Sequence, residues 1–222
     1  MASSSSDRKN KNKNLYNSWM NNQQEELKEL QNGIVHARKN ELSDEELNEL
    51  LRKMVNNFQE YSNGRSRLAR VGITVLRPYL VHPFGKFGLV DRWDMKIGDF
   101  GQLSGKQITM IDKLQRQIIL EERQFSSRLA SLQEDVVDQP FAMAARIYDA
   151  ERGENEIEPL NKHGEDMSNL LEEVDELRMK TLKEILGILT PIQGVEYLAA
   201  AKRIRLCLQQ WGKKREQEHN SN

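Results

Sequence analysis

The chain is short of the residues that interrupt helices and of those that build strands. Its 222 residues include 13 glycines and 5 prolines, and aromatic residues make up 6%. Few runs of valine, isoleucine and threonine alternate with polar residues, as half-buried strands require. This scarcity of helix breakers and strand formers predicts an all-α fold with several long helices.

Cysteine is almost absent, since Cys207 is the only one in the sequence. A single thiol excludes an internal disulfide and a zinc site built from several cysteines. Cys207 stands between Leu206 and Leu208, which indicates a small packed side chain rather than a reactive thiol. Because this cysteine usage is typical of a reducing compartment, we expect the protein in the nucleus, the cytoplasm or both.

Long apolar runs and an excess of charge of one sign are also missing. No apolar stretch approaches the ~20 residues that cross a bilayer, so no transmembrane segment is predicted. The first residues are polar and lack the apolar segment of a secretory signal. The formal net charge is -1, from 33 basic and 34 acidic residues, and this balance argues against electrostatic binding of the whole chain to nucleic acid.

Apolar residues recur at helical spacing along most of the chain. They predict a bundle of about five to six helices, because each apolar stripe must be buried against another helix. Three helix starts carry capping signals, at Ser43 with Glu46, Ser104 with Gln107, and Thr190-Pro191. The predicted helices cover approximately residues 15–35, 43–76, 104–134, 140–151, 160–189 and 191–215.

We predict one helical domain over residues 15–216, interrupted by an irregular segment at 82–103 in which glycines break the helical period. Residues 1–14 consist mainly of serine, lysine and asparagine, a composition that predicts a disordered polar and basic tail. A second short disordered tail is predicted at 217–222. Within the domain, Gly187 is expected to permit close approach of two helices, because glycine has no side chain.

The sequence also lacks the residues of a catalytic constellation. It contains no phosphate-binding glycine motif, no metalloprotease helix motif and no nucleophile elbow. The four histidines, His36, His82, His163 and His219, are scattered, and none has a partner at metal-ligand spacing. Adjacent acids such as Glu121-Glu122 point about 100 degrees apart on a helix, so they cannot share a substrate. We therefore expect no enzymatic activity, no metal and no cofactor.

The predicted last helix concentrates basic residues. No acid stands between Tyr197 and Arg215, and apolar residues, including Trp211, are interleaved with the basic ones. Such a basic amphipathic helix is typical of segments that bind calmodulin, an acidic partner or anionic lipid. The alternative, which we favour from sequence alone, is a bundle helix whose apolar face is core. The candidate basic patch consists of Lys202, Arg203, Arg205, Lys213, Lys214 and Arg215.

Several short motifs between Leu129 and Lys213 are specific enough to compare with known families. They are Ser131-Leu132-Gln133-Glu134-Asp135 with Asp138 and Pro140, Asp175-Glu176-Leu177-Arg178 with Thr181-Leu182, the run from Ile185 to Gly194, and Trp211-Gly212. Together they closely resemble the plant Delay of Germination family, which regulates seed dormancy, and more distantly the C-terminal half of TGA-type bZIP transcription factors. The likeness extends, more loosely, over nearly the whole chain.

The resemblance implies a non-enzymatic regulator that acts through other proteins in seed dormancy, abscisic acid signalling or transcription, with bZIP factors among its partners. The family's phosphatase-binding motif, Asp-Ser-Tyr-Leu-Glu-Trp, is matched at Tyr16 and Trp19. These residues are therefore candidate contacts for type 2C protein phosphatases. One interpretation is an exposed aromatic pair that anchors a partner; the alternative, which we slightly favour from sequence alone, is that Trp19 belongs to the core. The apolar helix faces also make a homodimer a reasonable expectation.

Two departures from the family pattern restrict what the resemblance implies. The dormancy regulator has a pair of histidines one turn apart on its last helix, associated with haem. This chain has Arg205 and Gln209 at the aligned positions, and since neither is a good iron ligand we expect no haem there. The family's Trp-x-Gly-Gly-x-Arg-Pro-Ser segment is reduced to residues 93–100, without the Arg-Pro-Ser.

Two alternative functions stay open. A relative with this domain helps to position pollen apertures, which implies a membrane-associated patterning role in which the basic last helix touches anionic lipid. The bZIP relatives imply direct DNA binding. We expect no such binding, because residues 1–14 are too short and too poor in arginine to place a basic helix across a major groove.

Overall fold

The computed structural model describes residues 2–69, 103–137 and 158–220, which form five α-helices and contain no strand. The helices are α1 (Ala2–Arg38), α2 (Asp44–Ala69), α3 (Gly105–Val137), α4 (Glu158–Ile188) and α5 (Pro191–Asn220). The predicted all-α bundle with several long helices is thereby confirmed. The predicted helix at 140–151 and the 93–100 segment lie outside the described residues, as does the irregular segment at 82–103 apart from Leu103.

The helices pack as a bundle in which α2 and α4 lie between the others. α1 packs against α2 and α5, α2 also packs against α4 and α5, and α3 packs against α4. The short connection between α1 and α2 makes this pair close neighbours, whereas α4 and α5 meet mainly at the corner that joins them. This arrangement buries one face of each helix, as the apolar periodicity predicts.

One hydrophobic core receives side chains from all five helices. Its centre is formed by Leu30 of α1, Ile185 of α4 and Val195 of α5, which are the largest fully buried side chains among the described residues. Burying one such side chain contributes about 1.5–3 kcal/mol to stability. The other buried members of the cluster are Leu47, Leu51, Met54, Leu114, Ile118, Leu182, Leu189, Tyr197, Leu198 and Ala199.

Capping boxes open two helices where the sequence predicts them. The backbone amide of Ser43 donates to the Glu46 carboxylate at 2.8 Å, and the amide of Glu46 donates to Ser43 Oγ at 3.3 Å. The same exchange joins Ser104 and Gln107, at 2.9 Å and 3.3 Å. Each pair satisfies two amide donors that a helix start leaves without a partner inside the helix. Both predicted starts are confirmed.

α1 ends in a turn closed by Asn40, whose φ of 56° places it in the left-handed region. The amide of Asn40 donates to the carbonyl of Ala37 at 3.0 Å, and the amide of Glu41 donates to the carbonyl of His36 at 2.9 Å. This pattern satisfies the last carbonyls of the helix, and asparagine tolerates the left-handed conformation better than most residues. The turn directs the chain back along α1 as α2.

The ends of the outer helices differ from the predicted boundaries. α1 begins at Ala2, so residues 2–14, predicted to be a disordered tail, are helical in the structure. They contain no glycine or proline, and extending an existing helix adds one hydrogen bond for each residue that is fixed. α5 likewise continues to Asn220, beyond the predicted boundary at 216. The division of the chain into one domain with two tails stays a prediction.

Helices approach each other closely at glycines other than the predicted Gly187. A Cβ atom built at Gly187 would meet no atom of the described residues within 4 Å, so close approach of the described helices at Gly187 is contradicted. A Cβ at Gly33 would lie 2.9 Å from Leu50 Cδ2, and a Cβ at Gly194 would lie 3.0 Å from Leu51 Cδ1. Gly33 of α1 and Gly194 of α5 therefore allow α2 to approach closely.

Candidate functional site

A buried ion pair joins α1 to α5. Lys202 Nζ donates to the Glu26 carboxylate and, at 3.1 Å, to Gln23 Oε1. Asn57 of α2 donates to Glu26 Oε1 at 2.7 Å, and Gln23 donates to Glu26 Oε2 at 3.0 Å. Burial lowers the pKa of the Lys202 ammonium, and its hydrogen bond to Glu26 opposes that shift. We call these four residues the Glu26 joint, because they connect three helices through one carboxylate.

A second buried carboxylate joins α2 to α4. Arg65 holds Asp175 with two hydrogen bonds, one of them from Nε to Oδ2 at 3.1 Å. Arg178, one turn along α4, donates to Asp175 Oδ1 at 2.9 Å. The guanidinium plane of arginine presents its donors in the geometry that a carboxylate accepts. Asp175 therefore positions Arg65 of α2 against α4.

The corner between α4 and α5 is held by amides. The backbone amide of Thr190 donates to Gln193 Oε1 at 3.0 Å, so these two residues cap α5. Gln107, from the first turn of α3, donates to Gln193 Oε1 at 2.8 Å and to the carbonyl of Ile188 at 3.0 Å. The predicted start of α5 is confirmed, and the start of α3 is connected to it through Gln107.

The candidate aromatic pair occupies two different environments. Trp19 is 8% exposed and stacks on Tyr61 of α2, with ring centroids 4.1 Å apart and planes 12° from parallel. Its indole N–H is buried without a hydrogen-bond partner among the described residues. Tyr16 is half-buried at the edge of this cluster, 6.3 Å from Trp19 between centroids. Trp19 is therefore a core residue, in agreement with the interpretation that assigns it to the core. The proposed role of Tyr16 and Trp19 in binding a partner stays a prediction.

Arg205 lies beside the same cluster, with its guanidinium carbon 4.6 Å from the centre of the Trp19 ring. This distance is typical of a cation–π contact. A guanidinium is protonated at any physiological pH and offers no lone pair to iron. The amide oxygen of Gln209 has lone pairs but is a weak ligand beside the histidine, cysteine, methionine or tyrosine side chains that hold haem iron. The residues at the positions of the family's histidines therefore do not fit a haem.

The structure divides the candidate basic patch into two parts. Lys202 is buried in the Glu26 joint, and Arg205 contacts Trp19. Lys202 is the buried member of the patch, whereas Arg203, Arg205, Lys213, Lys214 and Arg215 are exposed. The patch predicted from sequence as one surface therefore has a structural part, where Lys202 and Arg205 contact α1, and an outer part that is solvent-exposed. Whether either part binds a partner stays a prediction.

The joints around Glu26 and Asp175 were not predicted as sites, although the sequence contains a signal for each. Glu26 stands in the same helical series as Trp19 and Leu30, so it is an acid on an otherwise apolar face. Asp175 directly follows Val174 in another apolar series. Charged residues at such positions are rarely buried without a partner, and each one therefore points to a pairing across helices.

None of the described helices is long and apolar enough to cross a membrane. The fold and the site together define an all-helical bundle whose buried charges connect neighbouring helices. No protein-family model matches the chain. Curated relatives do match it, and their alignments cover enough of both chains to assign this chain to a family.

The chain is 30% identical to the DOG1-like 3 protein of Arabidopsis thaliana, an alignment that covers 93% of this chain and 85% of the relative. It is 28% identical to DOG1-like 2 of the same plant, over 91% of this chain and 90% of the relative. DOG1-like 1 matches at 40% identity over 51% of this chain and 41% of the relative. The chain belongs to the DOG1-like family, which is the Delay of Germination family indicated by its motifs and is related to seed dormancy.

Proposed function

We propose that this protein is a non-enzymatic adaptor that acts in seed dormancy, abscisic acid signalling or transcription through protein–protein contacts. Membership of the DOG1-like family supports the dormancy context. The proposed compartment is the nucleus, the cytoplasm or both. Type 2C protein phosphatases are the first proposed partners, because Tyr16 and Trp19 match two positions of the family's phosphatase-binding motif.

The pairing of buried charges is the observation that carries the proposal. Glu26 is engaged by Lys202, Gln23 and Asn57, and Asp175 is engaged by two arginines. A carboxylate surrounded by such donors holds helices together and is poorly suited to exchange protons with a substrate. A reaction at these two carboxylates would disrupt the packing of the helices. We therefore propose that the protein acts through exposed side chains that contact other proteins.

Of the two aromatic residues, Tyr16 is the better placed to contact a partner protein. Its ring is half-buried at the rim of the Trp19 cluster, whereas the Trp19 ring is covered by Tyr61 and Arg205. Aromatic rings at the edge of a packed cluster are common anchors in interfaces. We therefore propose that Tyr16 contacts the phosphatase and that Trp19 supports Tyr16 from below.

The test is capture of a purified type 2C phosphatase by the full chain and by two variants. Tyr16→Ala should weaken capture by about tenfold or more, the size expected for an interface anchor. Trp19→Phe retains a ring for the stack on Tyr61, so capture should stay near that of the wild type. Circular dichroism confirms that both variants are folded.

Equal capture by the wild type and Tyr16→Ala would reject Tyr16 as a contact. Failure of the wild type to capture any type 2C phosphatase would reject these partners altogether. A third variant, Leu120→Ala, serves as a control at an exposed position of α3, which packs against α4, and its capture of the phosphatase should be unchanged.

A further inference from the structure

The outer half of α5, defined here as residues 203–220, carries apolar side chains that face away from the bundle. Trp211 is 59% exposed and Leu208 is 37% exposed. Lys202 and Leu206, by contrast, are buried against α1 and its neighbours. With 3.6 residues in each turn, positions 208 and 211 point to the side of α5 opposite to positions 202 and 206. The exposed apolar stripe is therefore separate from the core-facing stripe.

Basic side chains surround this stripe. The guanidinium carbon of Arg215 lies 5.0 Å from the centre of the Trp211 ring. Lys214 is exposed one turn along the helix from Trp211, and Glu218 lies 4.0 Å from Lys214 Nζ. Because no acid occurs between Tyr197 and Arg215, the outer half has an excess of positive charge over most of its length.

The start of α1 lies at the same end of the bundle as the outer half of α5. Contacts pair Arg38 with Glu196, Glu26 with Lys202, and Trp19 with Arg205, so α1 and α5 are antiparallel. The backbone of the first turns of α1 therefore lies at the same end as the last turns of α5. The sequence places four basic residues in those turns of α1, namely Arg8, Lys9, Lys11 and Lys13.

We propose that the outer half of α5 is a docking surface for a partner protein that has an apolar pocket bordered by acidic residues. Trp211 enters the pocket, Leu208 lies beside it, and the surrounding basic residues face the acids. The inference rests on the proposed adaptor function and names the chemistry of one partner. Tryptophan and arginine dominate binding energy at many interfaces, and opposite charge accelerates association.

A protein pocket accounts for these features better than a lipid surface or nucleic acid does. A helix that lies in a membrane interface buries a continuous apolar face, whereas the large exposed apolar residues of the described part of α5 are Leu208 and Trp211. Phosphate contacts along nucleic acid would use the basic side chains and leave Trp211 without a partner. An acidic pocket accommodates the tryptophan and the positive charge together.

Calcium-loaded calmodulin is a suitable probe, because it is an acidic protein whose groove takes the apolar side chains of basic helices. The full-length chain is titrated against it by calorimetry, and we expect a dissociation constant below about 10 µM. Trp211→Ala should weaken binding by about tenfold or more. The matched control is Leu120→Ala on α3, because Leu120 is also 59% exposed, and this variant should bind as the wild type does.

A charge-reversed variant, Lys214→Glu, separates the electrostatic part from the apolar part. It should weaken binding and reduce the loss of affinity on adding salt, because fewer opposite charges are then paired. Absence of calmodulin binding, or equal binding by Trp211→Ala and Leu120→Ala, would overturn the proposal.

Two further arms decide between kinds of partner. Vesicles of phosphatidylserine with phosphatidylcholine test a lipid surface, and a duplex DNA tests nucleic acid. If either is bound through Trp211 while calmodulin is not, the assignment to a protein partner is wrong. If the phosphatase is not captured but Trp211 controls calmodulin binding, the phosphatase proposal fails and the docking surface stands.

Discussion

The inner half of α5, residues 191–202, and its outer half, residues 203–220, belong to one continuous helix but meet different surroundings. Val195 and Leu198 of the inner half are buried in the core, and Lys202 is paired with Glu26. In the outer half Leu208 and Trp211 are exposed. The inner half thus connects helices, while the outer half, beyond the buried Leu206, presents most of its side chains to solvent.

The difference shows that residue type alone does not decide what a charged side chain does. Lys202 and Lys213 occur on the same helix, yet Lys202 is buried against a carboxylate and Lys213 is exposed. A buried lysine depends on its partner, because an unpaired charge is costly away from water. An exposed lysine is hydrated and is available to another molecule.

The largest expected effect tests the two lysines against each other. Lys202→Ala leaves the Glu26 carboxylate buried without its cation, and breaking a buried pair in this way costs about 3–5 kcal/mol. Lys213→Ala should change stability by less than about 0.5 kcal/mol, as is typical of exposed positions. Urea denaturation of both variants measures the two values. Equal stability of the two variants would contradict the distinction between the halves.

Two leucines give a similar comparison for apolar side chains. Leu198→Ala removes packing from the core and should lower the free energy of unfolding by about 2–5 kcal/mol. Leu208→Ala, on the exposed side, should lower it by less than about 0.5 kcal/mol. Thermal and urea denaturation provide the measurement. A loss on Leu208→Ala as large as that on Leu198→Ala would show that the outer half is packed in solution.

Two glycines within α5 should respond to alanine with opposite signs. A Cβ at Gly194 lies 3.0 Å from Leu51 Cδ1 and 3.3 Å from Leu186 Cδ2, so Gly194→Ala should destabilise the fold by about 1 kcal/mol through overpacking. At Gly212 a Cβ meets no atom within 4 Å in the part of the chain that the structure describes. Gly212→Ala should therefore stabilise the fold by about 0.5–1 kcal/mol, the usual gain in a helix interior. Stabilisation by both substitutions would refute the close approach at Gly194.

The smallest expected change in stability concerns an exposed ion pair between Arg128 of α3 and Glu173 of α4. This pair adds an exposed example to the comparison of buried and exposed charges. Hydrogen bonds from Arg128 lower the pKa of Glu173 below its ordinary value of 4.5. A carboxylate with a lowered folded pKa adds stability above the ordinary value and loses it as the pH falls through the folded value. Since both side chains are about half exposed, the contribution should stay below about 1 kcal/mol.

Denaturation of the wild type and Glu173→Gln at neutral and at acidic pH measures this contribution. The difference in stability should be present at pH 7 and should disappear on acidification through the folded pKa. Glu176→Gln, an exposed position on α4, is the control for loss of a charge alone. A difference between the wild type and Glu173→Gln that grows at low pH would refute the assignment.

Periodicity and capping predicted the fold well, because both depend on residues close in sequence. The spacing of Ser43 with Glu46 and of Ser104 with Gln107 fixes local hydrogen bonds, which the structure contains. The site was harder to predict, because partners such as Glu26 and Lys202 are distant in sequence and meet only after the helices have packed. Sequence therefore predicted a single basic patch where packing separates Lys202 from Lys213.

The apolar spacing predicted a later start for α1 than Ala2, where the helix begins in the structure. Apolar periodicity marks only the packed part of a helix, and an established helix extends through polar residues at little cost. Gly187 shows the reverse error. Its place among apolar residues indicated a close contact, yet which glycine meets a neighbouring helix depends on helix rotation, which the sequence alone does not determine.

Because α5 is uninterrupted from Pro191 to Asn220, its backbone fixes the direction of Trp211 relative to the core. Each residue turns the helix by about 100°. An insertion of one residue after Leu206 would swing the tryptophan sideways without disturbing Val195, whereas four inserted residues would bring it back to within about 40° of its original direction. Changes in the length of this helix after Leu206 thus alter the direction in which Trp211 points, while the packing of the inner half stays the same.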